Sequence, residues 1–336
     1  MILVTGGTGL VGTHLLASLV QKHDKVRAIH RKSSNLDAVK EVFSFYFDDA
    51  ATQFSKIEWI VADITDVTSL EKVFEGITYV YHVAALVSFN PKEYHSMRSI
   101  NIDGTANIVN FSITQKVKKI CFVSSIAAID KTHKNGLIDE TGDWTVEANN
   151  YGYAITKYGA EMEVWRASQE GLNVVVVNPG VIIGAGNWST GSGQLFSKID
   201  KGLSYYPPLV TGFVAVEDVV KSMVLLMLSG IKNEGFILVA ESLSFKIVLT
   251  EIAKALKKPE PRKKLQPWMV FIGWLFQYIG RKLFNTEQSI TKRSIKSAFG
   301  KSFYDHSKIV KRLDFKFTPI QQSIKETASY FTKTKA

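Results

Sequence analysis

The chain has 336 residues, 46% hydrophobic and 21% charged, with a mean hydropathy of +0.03, which excludes disorder and fibrous structure and allows one large or two modest domains. The single cysteine, Cys121, excludes a disulfide framework or a cysteine-rich metal site and leads us to expect a reducing, cytoplasmic location. The net charge of +10 is uneven: residues 1–230 carry −3 and residues 231–336 carry +13.

The chain opens on Met1-Ile2-Leu3-Val4, an apolar strand with no basic leader before it, so no signal peptide is expected. Short β-branched runs then alternate with amphipathic stretches. Strands are predicted at 2–5, 26–30, 59–62, 79–84, 119–124 and 173–178; helices are predicted at 12–22, 69–76, 95–116 and 153–170. Such alternation predicts an α/β fold with a doubly wound parallel sheet covered on both faces. The run Val174-Val175-Val176-Val177 suits a strand buried on both sides. After residue 180 the pattern loosens into Gly/Ser/Pro-rich stretches. We therefore expect a nucleotide-binding domain over 1–180 and a smaller, mainly substrate-binding lobe over 181–336, with segments near 213–230 returning to the first domain.

Between the first strand and its helix lies Thr5-Gly6-Gly7-Thr8-Gly9-Leu10-Val11-Gly12. Gly6 permits the tight turn, Gly9 lets backbone approach a pyrophosphate, and Gly12 lets helix pack on strand; Thr8, Leu10 and Val11 complete the phosphate loop at the helix's positive end. A ligand-free turn is the alternative, and the flanking strand and helix disfavour it. The second strand ends Ile29-His30-Arg31-Lys32. An acidic residue there would suit the ribose of NAD; Arg31 instead favours the 2′-phosphate of NADP, with NAD kept as the alternative. Asp63, followed by Ile64 after the third strand, can reach an adenine amino group or cap a turn. His82-Val83-Ala84-Ala85 ends the fourth strand with small residues, as backbone lying against a cofactor requires.

Tyr153-Ala154-Ile155-Thr156-Lys157 places a phenol and an ammonium one helical turn apart. A lysine cation stabilises phenolate and fits the tyrosine for proton exchange with a substrate oxygen. The spacing recurs at Tyr278/Lys282 and Tyr304/Lys308, but only the first copy lies in the alternating region. There it follows a strand ending Phe122-Val123-Ser124-Ser125, which puts the Ser125 hydroxyl where open α/β sheets bind ligands.

In order along residues 1–220, the glycine turn, Asp63, Ala84-Ala85, Asn101-Ile102-Asp103-Gly104-Thr105, Ser125, Tyr153/Lys157 and Asn178-Pro179-Gly180 resemble an extended short-chain dehydrogenase/reductase of the epimerase/dehydratase superfamily. The resemblance implies a Rossmann-type fold that binds NAD(P), with Tyr153 as general acid/base, Lys157 lowering its pKa and holding the nicotinamide ribose, and Ser125 polarising a carbonyl. It also places Asn101 and Pro179 beside the cofactor, although Asn101 suits a helix-kinking role equally well. Thr211-Gly212-Phe213 lacks the arginine with which many nucleotide-sugar epimerases grip a phosphate, and Ser125-Ile126-Ala127 lacks the acidic pair of dehydratases. The basic end of strand two and Tyr304-Asp305-His306-Ser307-Lys308 resemble the dihydroflavonol-reductase and hydroxysteroid-dehydrogenase-like branch. That branch implies a fairly apolar small-molecule substrate. The alternatives are an epimerase with tightly bound NAD(P) and a non-catalytic dinucleotide sensor.

Pro267 to Gly280 is apolar on every helical face and flanked by Arg262-Lys263-Lys264 and Arg281-Lys282, but is shorter than the roughly 20 residues that span a bilayer. Over 262–284 three roles remain open: a core or homodimer interface, a lid over the substrate, or peripheral contact with a membrane. Without a nucleic-acid-binding motif, the scattered lysines do not suggest DNA or RNA, and the seven histidines show no metal-ligand spacing. The substrate depends most on where Trp188, Phe196, Tyr205 and Trp268 lie relative to Tyr153.

Overall fold

The computed structural model describes residues 1–129, 136–142, 144, 152–272 and 299–335. The strands are β1 (Ile2–Thr5), β2 (Val26–His30), β3 (Ile57–Val61), β4 (Tyr79–His82), β5 (Lys119–Val123), β6 (Leu137–Ile138), β7 (Val174–Pro179), β8 (Val181–Ile183), β9 (Tyr205–Tyr206), β10 (Val210–Ala215), β11 (Glu234–Leu238), β12 (Glu241–Ser244), β13 (Lys263–Lys264) and β14 (Phe303–Tyr304). Seven of them form one parallel sheet in the order β11-β7-β5-β4-β1-β2-β3. The order reverses between β1 and β4, so a crevice opens at the carboxyl ends of those strands. Val174, Val175, Val176 and Val177 are all fully buried, and burial of each such side chain stabilises the fold by roughly 1.5–3 kcal/mol.

Ten helices carry labels here: α1 (Leu10–Leu19), α2 (Leu36–Phe43), α3 (Ala50–Ser55), α4 (Val67–Leu70), α5 (Tyr94–Arg98), α6 (Gly104–Thr114), α7 (Gly152–Gln169), α8 (Gly193–Asp200), α9 (Val216–Leu228) and α10 (Phe245–Ala255). One face of the sheet packs on α1 and α9, where Leu15, Leu16, Val219 and Met223 are buried together with Val175 and Val177. On the other face, α6 and α7 bury Ile108, Val109, Ala160 and Val164 against Val174 and Val176. The seventh strand, β11, and helix α9 both come from beyond residue 180. A second layer is built on the small sheet β12-β10-β8. Its core joins Phe213, Phe196, Leu249 and Ile252 to Ile320, Ile324 and Phe331 of the C-terminal helix Ile320–Lys335.

The helix expected over 95–116 is divided. Between α5 and α6 the chain makes a wide π-turn, Ser99–Asp103, and the buried Asn101 sits within it. Where the apolar stretch from Pro267 can be followed, residues 267–272 are helical, with Trp268, Phe271 and Ile272 exposed by 58%, 49% and 40%. The remainder of that stretch, with Tyr278 and Lys282, lies outside the described residues. Among those described, no helix is long and apolar enough to cross a membrane.

Candidate active site

All the strand ends named in the sequence meet at the carboxyl edge of the parallel sheet. Gly6 takes a φ of +69°, and a Cβ there would stand 2.6 Å from the Ala84 nitrogen; at Gly12 it would stand 2.1 Å from the Gly6 carbonyl oxygen. Glycine is therefore required at both positions, once for the left-handed turn and once for close packing. The Gly9 N–H donates to the Gly6 carbonyl at 3.0 Å, and Gly9 caps α1 without any side-chain hydrogen bond. The amino end of α1 thus presents backbone N–H groups and its positive dipole to a space that no capping side chain fills, which fits a dinucleotide pyrophosphate. Thr8 and Leu10 are half-buried and Val11 is buried beneath this turn.

A chain of buried polar groups ties the turn to the catalytic helix. The Thr5 hydroxyl accepts from the Val83 and Ala84 N–H groups, both at 3.2 Å, and pairs with His82 Nδ1 at 2.7 Å. His82 Nε2 meets the Thr105 hydroxyl at 2.9 Å, and that hydroxyl donates to the Asn101 carbonyl at 2.5 Å. Because Thr105 uses its proton there, it accepts from Nε2–H, which leaves Nδ1 to accept from Thr5. Burial, reinforced by the charge of Lys157, pulls His82 down to about 3, so the ring is neutral. Asn101 donates to the Leu86 carbonyl and to the Thr156 hydroxyl, both at 3.0 Å, and accepts from the Leu86 N–H at 2.7 Å. The π-turn brings this amide inward, where it clamps the loop after β4 to α7.

Ser125 follows β5, and its hydroxyl accepts from the Ala127 N–H at 3.1 Å. The Tyr153 phenol hydrogen-bonds the Ser125 side chain; burial pushes the phenol up to about 12, with that bond opposing the shift, so the lowering by Lys157 that the resemblance implies is not seen in this structure. Lys157, one turn along α7, is 1% exposed. Its ammonium donates to the Val123 carbonyl at 2.8 Å and lies 4.4 Å from the centre of the Phe122 ring. Burial pulls it down to about 7, and the Glu161 carboxylate pulls in the opposite direction. Sequence reasoning passed over Glu161, which sits one further turn along the same helix. Its carboxylate accepts from Ser124 Oγ at 2.5 Å, Asn178 Nδ2 at 2.9 Å and Trp165 Nε1 at 3.1 Å.

The other sequence candidates differ in their surroundings. Arg31 is exposed at the end of β2, and its guanidinium makes no hydrogen bond or ion pair among the described residues. Asp63 is half-buried and accepts from both the N–H and the hydroxyl of Thr65, at 2.9 and 2.7 Å, as a turn residue does; Ile64 packs beneath Gly104. Ala84 lies against Gly6, Ala85 is exposed, and Pro179 is buried at the end of β7. Tyr304 stands in β14 rather than on a helix with Lys308, whose ammonium binds the Gly235 carbonyl. Trp188 and Phe196 pack on Phe331 in the second layer, while Tyr205 and Trp268 are exposed. A cavity of about 410 Å³ between α1 and α9 is lined by His14, Tyr46 and Glu217 and includes none of the three catalytic candidates. Among the described residues no group of three His, Cys, Asp or Glu could hold a metal ion.

Residues 4–207 match an NAD-binding family described as male sterility protein. A putative dihydroflavonol 4-reductase of Synechocystis sp. is 26% identical over 337 residues, covering 98% of this chain and 93% of that protein. Tetraketide alpha-pyrone reductase 2 of Arabidopsis thaliana is 31% identical over 67% of this chain and 73% of its own length. In fold, UDP-glucose 4-epimerase of Thermotoga maritima superposes with a TM-score of 0.78 at 21% identity, covering 100% of this chain and 99% of that one. The chain belongs to the extended short-chain dehydrogenases/reductases, in the male sterility protein family and on the dihydroflavonol-reductase-like branch, and is an NAD(P)-dependent reductase or dehydrogenase.

Proposed function

We propose that the protein is an NADP-preferring reductase that moves hydride between the nicotinamide and a carbonyl or alcohol carbon of a fairly apolar small molecule. The observation that carries this reading is the hydrogen bond between Tyr153 and Ser125 beside the buried Lys157, at the same sheet edge as the uncapped glycine turn. Residues before about 180 would mainly hold the dinucleotide: Gly6, Thr8, Gly9, Leu10, Val11 and Gly12 at the pyrophosphate, Arg31 at the 2′-phosphate, and Asp63 and Ile64 near the adenine. Ala84, Ala85, Asn101, Lys157 and Pro179 would border the nicotinamide half, with most residues after 180 serving the substrate.

When bound, the dinucleotide supplies or accepts the hydride. In the reducing direction the Ser125 and Tyr153 hydroxyls both donate to the carbonyl oxygen. Tyr153 then passes its proton to that oxygen, and the Lys157 cation offsets the phenolate left behind. A phenol held near 12 is fully protonated at neutral pH, as a proton donor must be.

An apolar substrate is supported by the β10 segment, where Thr211 takes the place of a phosphate-gripping cation and hydrogen-bonds Tyr304. The reductases among the relatives point the same way. With a panel of aromatic and alicyclic ketones the purified protein is expected to consume added NADPH. Interconversion of a nucleotide sugar without any added reductant, and no NADPH consumption, would favour an epimerase and overturn the proposal.

A further inference from the structure

We propose that Glu161 is a positioning residue for this site: its anchored carboxylate is the counter-charge that holds Lys157 cationic, and through Asn178 it also fixes the backbone of Ser125. The inference rests on the catalytic reading above and deepens it.

The geometry is that of a fixed charge. Three donors from three elements converge on the carboxylate: Ser124 after β5, Asn178 in β7 and Trp165 on α7. Ser124 and Asn178 are only 3% and 2% exposed, so neither can turn to water to satisfy its hydrogen bonds. Asn178 Nδ2 divides its hydrogens between Glu161 and the Ser125 carbonyl, the latter at 3.2 Å. One side chain is therefore linked to the backbone of the oxygen-binding serine and stands one turn along α7 from the lysine, whose ammonium binds the Val123 carbonyl next to Ser124.

Among the described residues few other charges surround Lys157. From β4 it faces His82, which is neutral; β5 contributes the Phe122 ring and the Val123 carbonyl; α7 contributes Glu161, with Tyr153 one turn earlier on the same helix. Among these, Glu161 is the anion that opposes the burial of the ammonium. Without it, the cation that offsets the Tyr153 phenolate is lost at a lower pH.

The test is a pH titration of Lys157 in protein labelled with 13C at the lysine ε-carbon, with its signal identified by its disappearance in Lys157→Arg. In Glu161→Gln the midpoint is expected to fall by about one pH unit, with a smaller fall in Glu161→Asp, where the charge is kept but withdrawn by one methylene. Should Glu161→Gln fail to fold, Glu161→Asp decides. An unchanged midpoint in a folded variant overturns the proposal. A purely structural role would lower thermal stability and leave the midpoint in place. The alkaline limb of kcat is expected to move with the midpoint. A wild-type protein that titrates as described but reduces no carbonyl would refute the catalytic reading and leave the counter-charge standing.

Discussion

Three Tyr/Lys pairs share the same spacing, and residue identity alone does not separate them. Tyr153 and Lys157 differ from Tyr304 and Lys308 in lying on one helix against the end of β5, and the strand-end serine was the legible sign of that. Glu161 was harder to see: a glutamate four residues from a lysine on a helix is usually a solvated ion pair, and only the buried Ser124 and Asn178 distinguish this one. Arg31 was legible as the basic residue just past β2. Its exposed guanidinium, without a partner among the described residues, is free to meet a phosphate. Removing it in Arg31→Ala should weaken NADPH binding by roughly 1.5–3 kcal/mol, the worth of a charge-assisted hydrogen bond, and leave NADH binding unchanged. Titrations of both dinucleotides check this, and an unchanged ratio of the two dissociation constants contradicts the NADP preference.

At the level of elements, the six strands predicted before residue 180 lie within two residues of β1–β5 and β7, because a short, mainly apolar and β-branched run suits a strand buried on both faces far better than a helix or a loop, while β6 and the strands after β7 were not anticipated. The helices α2 and α3 between β2 and β3 were missed, although their starts were marked: Asn35 and Asp49 cap them through side-chain oxygens. The π-turn at 99–103 was not legible, since periodicity continues through it; it follows from Asn101 being drawn toward Leu86 and Thr156, a tertiary demand. The glycine turn was the most readable element, and the structure gives it a sharp prediction. In Gly12→Ala the new Cβ would meet three backbone atoms, the nearest the Gly6 oxygen at 2.1 Å, so the turn must open. A loss of about 3 kcal/mol of stability and at least about a tenfold loss of dinucleotide affinity are expected by thermal denaturation and fluorescence titration. Normal values in both would show that the turn does not need a bare α-carbon there.

Over the whole molecule, the alternating pattern anticipated one doubly wound sheet, yet its seventh strand is supplied by residues 234–238, beyond the loosened segment. That strand opens on Glu234 and Gly235 and carries only three apolar side chains, too short a signal for local sequence to place it beside β7. The aromatic residues of the later chain divide between that layer's core and the surface, as Trp188 and Trp268 do. The excess positive charge lies in the same half of the chain, away from the near-neutral residues that build the glycine turn and the catalytic helix. The chemistry is thereby concentrated at one sheet edge, where Tyr153 is assigned the proton transfer. Turnover of Tyr153→Phe with NADPH and a ketone accepted by the wild type, measured alongside its NADPH dissociation constant, tests that assignment most directly. Loss of the phenol is expected to lower kcat by at least about 100-fold while the dissociation constant stays within about twofold. Turnover retained at the wild-type rate would contradict it.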